Sequence, residues 1–205
     1  GSHMFCYPGL VNTHHHLYQQ FSRNLPEVQG FELFDWLRYL YDIWKNIDEE
    51  LITLSSLTGM GELMKNGCTT CFDHHYVFPR DGGDLIAAQF EAAGLIGMRM
   101  HASRGSMDLS KKDGGLPPDS VVQTIDEIMK DSVRLIEKYH DPSKGSMRQI
   151  ALAPCSPFSV SGELLRESAA LARQYGVRLH THLCETKDEE NFTLEAVGMR
   201  PLAYM

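Results

Sequence analysis

Short apolar runs alternate along the whole chain with longer stretches of helical periodicity. Residues 9–13 (GLVNT) form a compact apolar run that leads into histidines and predicts a first strand. From 31 to 47, Phe34, Leu37, Leu40, Tyr41 and Trp44 recur at helical spacing. Asp48 caps a second helix that runs towards Lys65, Asn66-Gly67 stops it, and 68–72 predicts the second strand. The pattern then repeats: a helix over 85–93 ended by Gly94, and a strand over 96–100. A helical stripe over 121–139 (Val121, Ile125, Ile128, Met129, Val133, Ile136) leads to a strand over 150–153. A helix over 164–175 ended by Gly176 leads to a strand over 177–181, and the tail from Asp188 onward reads as helical.

Strand-helix repetition of this kind implies a parallel sheet covered by helices, either a closed barrel or a doubly wound sheet. No Gly-rich phosphate loop follows the first strand, where a nucleotide-binding sheet would carry one. Ionisable and polar residues instead recur at successive strand ends: His14 and His16, His74 and His75, His101 and Arg104, Cys155, and His182. Barrels of this class build their active sites at that face. Five strands are predicted where a closed barrel needs eight. The expected fold is therefore α/β, a partial (β/α)8 TIM-type barrel of about five parallel strands with intervening helices.

Composition narrows the picture. Gly1-Ser2-His3-Met4 reads as the remnant of a cleaved affinity tag, which leaves 5–205 as one domain. No apolar run approaches the roughly 20 residues needed to span a bilayer. A net charge of −8 with no Lys/Arg cluster argues against nucleic acid as a partner; Lys111-Lys112 is followed at once by Asp113. Five scattered cysteines, an odd number, suit a reducing cytoplasm better than a disulfide framework. Cys68-x-x-Cys71 lacks a second pair at zinc-ribbon spacing and lies in an apolar run, so it reads as two buried strand thiols.

Two motifs carry chemistry. In His14-His15-His16, strand alternation turns His14 and His16 to one side and His15 to the other. Two imidazoles projecting from one strand end are placed to share a metal. In His180-Thr181-His182-Leu183-Cys184-Glu185, His180 and His182 share a face, but only one need reach that metal; His182 lies nearer the strand end. Glu185 falls in the following loop, where a carboxylate can move a proton between metal-activated water and a leaving group.

Together these motifs resemble the amidohydrolase superfamily, and within it the cytosine, guanine and triazine deaminase branch. The resemblance is carried by PGLVNTHHHLYQ (8–19) and LHTHLCET (179–186), with FDHHYVFP (72–79), RMHASRGSMDLSKKDGGLPPD (99–119) and LAPCSPFSVS (152–161) between them. These intermediate segments lean it towards the 8-oxoguanine deaminases.

The resemblance implies that His14, His16 and His182 bind one divalent metal, zinc with iron as the alternative. It implies that Glu185 protonates a ring nitrogen while water attacks the adjacent amino-bearing carbon and ammonia leaves. Gln19 matches a position that contacts the purine edge, and its amide both donates and accepts. Arg104 and Cys155 are weaker candidates for substrate contact, with 105–118 as a lid, and at least one of His74, His75 and His101 is expected beside the substrate. His140 reads as a solvated loop residue.

The implied partner is a small purine-like or triazine base. The family's strand-six histidine and strand-eight aspartate have no counterpart here, so the chain reads as a truncated barrel domain. A catalytically silent metal-binding or assembly fragment, or a deaminase of triazines, guanine or adenosine derivatives, are the alternatives. Exposed strand edges and an apolar inner face imply a homo-oligomer.

Overall fold

In the computed structural model, which describes residues 2–205, five strands pair in parallel. They are β1 (Leu10–Asn12), β2 (Cys68–Asp73), β3 (Arg99–Ser106), β4 (Arg148–Pro154) and β5 (Arg178–Leu179). Their spatial order is their chain order, β1-β2-β3-β4-β5. A doubly wound sheet would reverse that order at a switch point, whereas steady addition on one side is how a barrel wall grows. The strands curl into a half-barrel. Helices α2 (Glu49–Lys65), α3 (Leu85–Ile96), α4 (Ile125–Tyr139) and α5 (Gly162–Tyr175) connect them. Helix α1 (Leu33–Trp44) lies in the long connection after β1, while α6 (Lys187–Val197) and α7 (Pro201–Tyr204) follow β5. No helix among the described residues is long and apolar enough to cross a membrane.

Local chemistry sets most boundaries. The Asp48 carboxylate accepts the Leu51 N–H at 2.8 Å, and Thr124 and Glu127 form a reciprocal capping box. That box starts α4 at Ile125, so Val121 falls in a separate 3-10 turn rather than in the helix. Helix α3 runs through Gly94 to Ile96. A mid-helix glycine costs only about 1 kcal/mol, and the true stop is Gly97 at φ +76°, where the Gly97 and Met98 N–H groups both close on Ala93 O.

The largest departure is β3, which extends to Ser106 instead of ending at Met100. Residues 101–106 (HASRGS) carry no apolar run, so hydrophobicity cannot announce them as a strand. They stay in the ladder because their polar groups find buried partners: Ser103 Oγ donates to His75 O at 3.2 Å, and Gly105 N–H donates to the same oxygen at 2.9 Å. At Gly105 a Cβ would sit 2.1 Å from His75 O, so only glycine allows that approach.

Two main apolar layers result, with a smaller cluster of Ile128, Val160 and Leu164 beside them. The outer one packs Met60, Phe90, Met100, Leu135, Ile150 and Leu152 between sheet and helices. Cys68 and Cys71 belong to it as free thiols, like the other three cysteines. The second layer lies over the C-terminal strand ends and is rich in aromatics, with Tyr18, Tyr41, Trp44, Tyr76 and Phe158 packed around Leu40. Helix α1 supplies its roof.

Candidate metal centre

The chain beyond β1 stays fastened to β2. His74 N–H donates to His15 O at 2.7 Å, His16 Nδ1 donates to His74 O at 2.7 Å, and Leu17 N–H donates to Asp73 Oδ1 at 2.6 Å. Beyond β5 the chain follows β4 in the same way. His180 N–H donates to Leu152 O at 2.9 Å, and His182 N–H to Cys155 O at 3.0 Å. These bonds bring residues 166 apart in sequence to one point: His182 Nε2 lies 3.1 Å from His16 Nε2, and His14 Nε2 lies 3.2 Å from His16 Nε2.

The protonation state of that cluster follows from its partners. His16 Nδ1 and His182 Nδ1 each face a backbone carbonyl, His74 O at 2.7 Å and Cys155 O at 2.8 Å. A carbonyl only accepts, so both Nδ1 atoms carry the hydrogen. Burial, with the facing His182 second, holds His16 well below the usual histidine range. Burial likewise brings His182 down to about 4. Both rings are therefore neutral near pH 7, and their Nε2 lone pairs point at each other across 3.1 Å with no proton to share.

Such a contact is repulsive unless a cation lies between the nitrogens. Zinc bonds imidazole at about 2.0–2.1 Å, so two tetrahedral ligands stand about 3.3 Å apart. His14, His16 and His182 fit that requirement, and their donor atoms lie within 4.8 Å of one another. His180 is not spare. Its Nε2 lies 2.9 Å from His14 Nδ1, a bond that fixes the His14 ring with Nε2 towards the centre.

Beside the cluster opens a cavity of about 190 Å³. That is below the roughly 300–1,000 Å³ of ordinary ligand clefts, and suits a small ring rather than a nucleotide. His16, His182, Glu185, Gln19 and Cys155 contribute its polar rim, while Trp36, Leu37, Tyr41, Tyr76 and Phe158 form apolar walls. Burial, and then the neighbouring Glu189, raise the Glu185 carboxyl above its ordinary value. Burial pushes the Cys155 thiol up to about 12, which makes it a neutral wall at physiological pH and no nucleophile.

Arg104 is not brought to this cavity. Side chains alternate along β3, and Met100, Ala102 and Arg104 all turn outward to the helices. Its guanidinium, fully buried, donates to Asp131 Oδ2 at 2.6 Å and Gln123 Oε1 at 2.7 Å, and also to Gly105 O. It stacks on Phe78 at 4.1 Å. Nor do residues 105–118 line the cavity; α1 covers it instead.

Of the three strand-end histidines, His74 joins the cluster. It is fully buried, stacked on His182 at 4.3 Å, and neither ring nitrogen has a hydrogen-bond partner among the described residues. His75 packs behind it on Tyr18 and Phe78, and His101 sits within β3. His140 is not merely solvated: its Nδ1 accepts the Ile150 N–H at 3.1 Å and ties α4 to β4. Trp36, Leu37 and Tyr41 carried only an amphipathic signal in the sequence, which the α1 core face explains equally well.

A model of the amidohydrolase family matches residues 5–204. An 8-oxoguanine deaminase of Pseudomonas aeruginosa is 48% identical over 198 residues, 97% of this chain and 44% of that protein. The hydroxydechloroatrazine ethylaminohydrolase of Pseudomonas sp. (strain ADP) is 44% identical over 183 residues, covering 88% of this chain and 38% of that protein. Among solved structures, an atrazine chlorohydrolase from Arthrobacter aurescens TC1 complexed with zinc superposes with a TM-score of 0.91 at 33% identity, covering 96% of this chain and 45% of that one. The chain spans less than half the length of each.

Proposed function

Because the chain belongs to the amidohydrolase family, we propose that it carries the metal-binding half of a hydrolytic deaminase acting on a purine-like base, with 8-oxoguanine as the substrate. The observation that carries this reading is the pair of bare Nε2 lone pairs facing each other at 3.1 Å beside a cavity that Glu185 lines. His14, His16 and His182 would hold one divalent ion, and zinc is favoured over iron because a zinc-bound relative shares the fold. Such an ion lowers the pKa of a bound water towards 7 and supplies Lewis acidity.

The chain's own groups do the rest. Glu185 lines the cavity beside His182, with its carboxyl raised above its ordinary value by burial and then by Glu189, and would carry a proton to the ring nitrogen next to the amino-bearing carbon. As water adds to that carbon the ring nitrogen gains the Glu185 proton, the carboxylate so formed takes a proton from the water and passes it to the amino group, and ammonia departs as the new C–OH loses its proton back to Glu185 and becomes a carbonyl. Gln19 offers a donor and an acceptor to the polar edge of the base. Trp36, Tyr76 and Phe158 offer flat apolar surface to its faces and exclude water.

A hydroxylated triazine is the second reading. It is favoured by the 44% identity to the ethylaminohydrolase and by the small cavity, which either ring fits. Ammonia release from 8-oxoguanine, guanine and hydroxylated triazines by the zinc-loaded protein tests both. Glu185→Gln is expected to lower release about 10²–10⁴-fold while leaving zinc content unchanged. Stoichiometric zinc with no ammonia from any base would reduce the chain to a silent metal-binding module.

The same proposal places the protein in the cytoplasm, supported by five free thiols. It also includes self-association. Among the described residues β1 and β5 each pair on one side only, with Leu10 62% and Val11 60% exposed. Light scattering is expected to show a dimer or larger species at micromolar concentration, and a stable monomer at high concentration would reject that part.

A further inference from the structure

Glu189 is fully buried, a rare state for a carboxylate without a cationic partner. It stands in the first turn of α6, three residues after the Thr186 N-cap, where acidic side chains normally face water. Its bonds are not those of a simple helix cap. Thr186 makes no capping bond of its own, and Glu189 reaches past it to the two residues before. Oε1 accepts the Cys184 N–H at 3.0 Å, and Oε2 accepts the Glu185 N–H at 2.6 Å.

The backbone at that point is unusual. Cys184 holds φ +59°, the left-handed conformation that a side chain with a Cβ seldom adopts. The turn lies between His182 at the metal centre and Glu185 at the cavity, so it sets the position of the one relative to the other. Among the described residues no other group accepts the Cys184 or Glu185 N–H.

We propose that Glu189 is a positioning residue: through these two backbone bonds it locks the left-handed turn at Cys184 and so holds Glu185 at the cavity next to His182. The inference rests on Glu185 being the proton carrier. Its two halves fail separately, because the lock is read from the backbone and the chemistry from turnover. Glu189→Ala removes both acceptors. Glu189→Gln keeps one acceptor and places an amide donor against the other N–H.

Amide hydrogen exchange of the zinc-loaded protein reads the lock directly. In Glu189→Ala the Cys184 and Glu185 amides are expected to exchange at least about tenfold faster, and in Glu189→Gln by an intermediate factor. Exchange at Ala102 and Leu152 in β3 and β4, and the zinc content, are expected to stay as in the parent. In the ammonia assay kcat is expected to fall with KM nearly constant, since base contacts by Gln19 and the aromatic walls remain.

Unchanged exchange at 184 and 185 in both variants overturns the lock. Uniform acceleration that includes Ala102 and Leu152 in both variants assigns Glu189 to global stability and overturns the positioning role. Local loosening with kcat unchanged does so too. A parent protein that shows the protected amides but releases ammonia from no base leaves the lock standing and removes the reading of Glu185.

Discussion

One equivalent of Zn²⁺ is expected to raise the thermal midpoint of the metal-free protein by about 5–10 °C, and His16→Ala to abolish the rise. The magnitude follows from linkage. A ligand at 100 times its Kd stabilises the folded state by about 2.7 kcal/mol, and each kcal/mol moves a domain of this size by about 2–4 °C. His16 is the residue to remove because its Nε2 faces both His14 and His182, at 3.2 and 3.1 Å. The substitution also relieves the lone-pair contact, so metal-free His16→Ala should lose little stability from that contact, while zinc no longer finds three converging nitrogens. Calorimetry with and without zinc, alongside metal analysis, decides the matter. A parent protein that gains neither metal nor stability, or a variant that responds like the parent, would refute the ligand set.

Asp131→Ala is expected to cost about 3–5 kcal/mol, the usual penalty for stranding one member of a buried ion pair. Arg104 has no exposed side-chain surface, and among the described residues Asp131 is its only counter-charge, bonded at 2.6 Å. Burial pulls the Arg104 pKa down and Asp131 opposes that pull. Without the carboxylate, Gln123 and the Gly105 carbonyl still accept, but the charge stays buried and uncompensated. Arg134, the other cation on Asp131, is partly exposed and also held by Asp84, so its loss of a partner matters less. A double replacement, Arg104→Met with Asp131→Ala, should recover much of the loss because no charge is left stranded. Denaturant unfolding measures both proteins; a single variant within about 1 kcal/mol of the parent would contradict the account.

Arg104 also shows why part of the site was hidden. Its position among polar residues after an apolar run reads as a strand end opening into a loop. In the fold, β3 continues past it, and two-residue alternation turns it away from the cavity. A strand built from His101, Ser103, Arg104 and Ser106 has no hydrophobic signature, because its stability comes from partners distant in sequence such as His75 and Asp131. The apolar walls were hidden for the opposite reason. Trp36, Leu37 and Tyr41 follow an ordinary helical stripe, and a stripe does not say whether it faces a core or a cavity. Glu189 was one acidic residue among several at a helix start, and nothing in the sequence sets it apart from Asp188 or Glu190.

The histidine motifs behaved differently. His14 and His16, and His180 and His182, are spaced two apart in segments that extend strands, and that periodicity alone fixes which imidazoles share a side. The sequence by itself therefore determined the strand-helix repeat, the histidine pairs and the loop position of Glu185, all properties of local periodicity. Only the tertiary structure decided which of each pair meets which. Parallel pairing of β1 with β2 and β4 with β5 sets the tips of two strands against each other across the half-barrel. Carbonyls of His74 and Cys155 then take the Nδ1 hydrogens and leave the Nε2 lone pairs turned inward. A lone pair's direction depends on which carbonyl its ring meets, and that is settled by chain segments far apart in sequence.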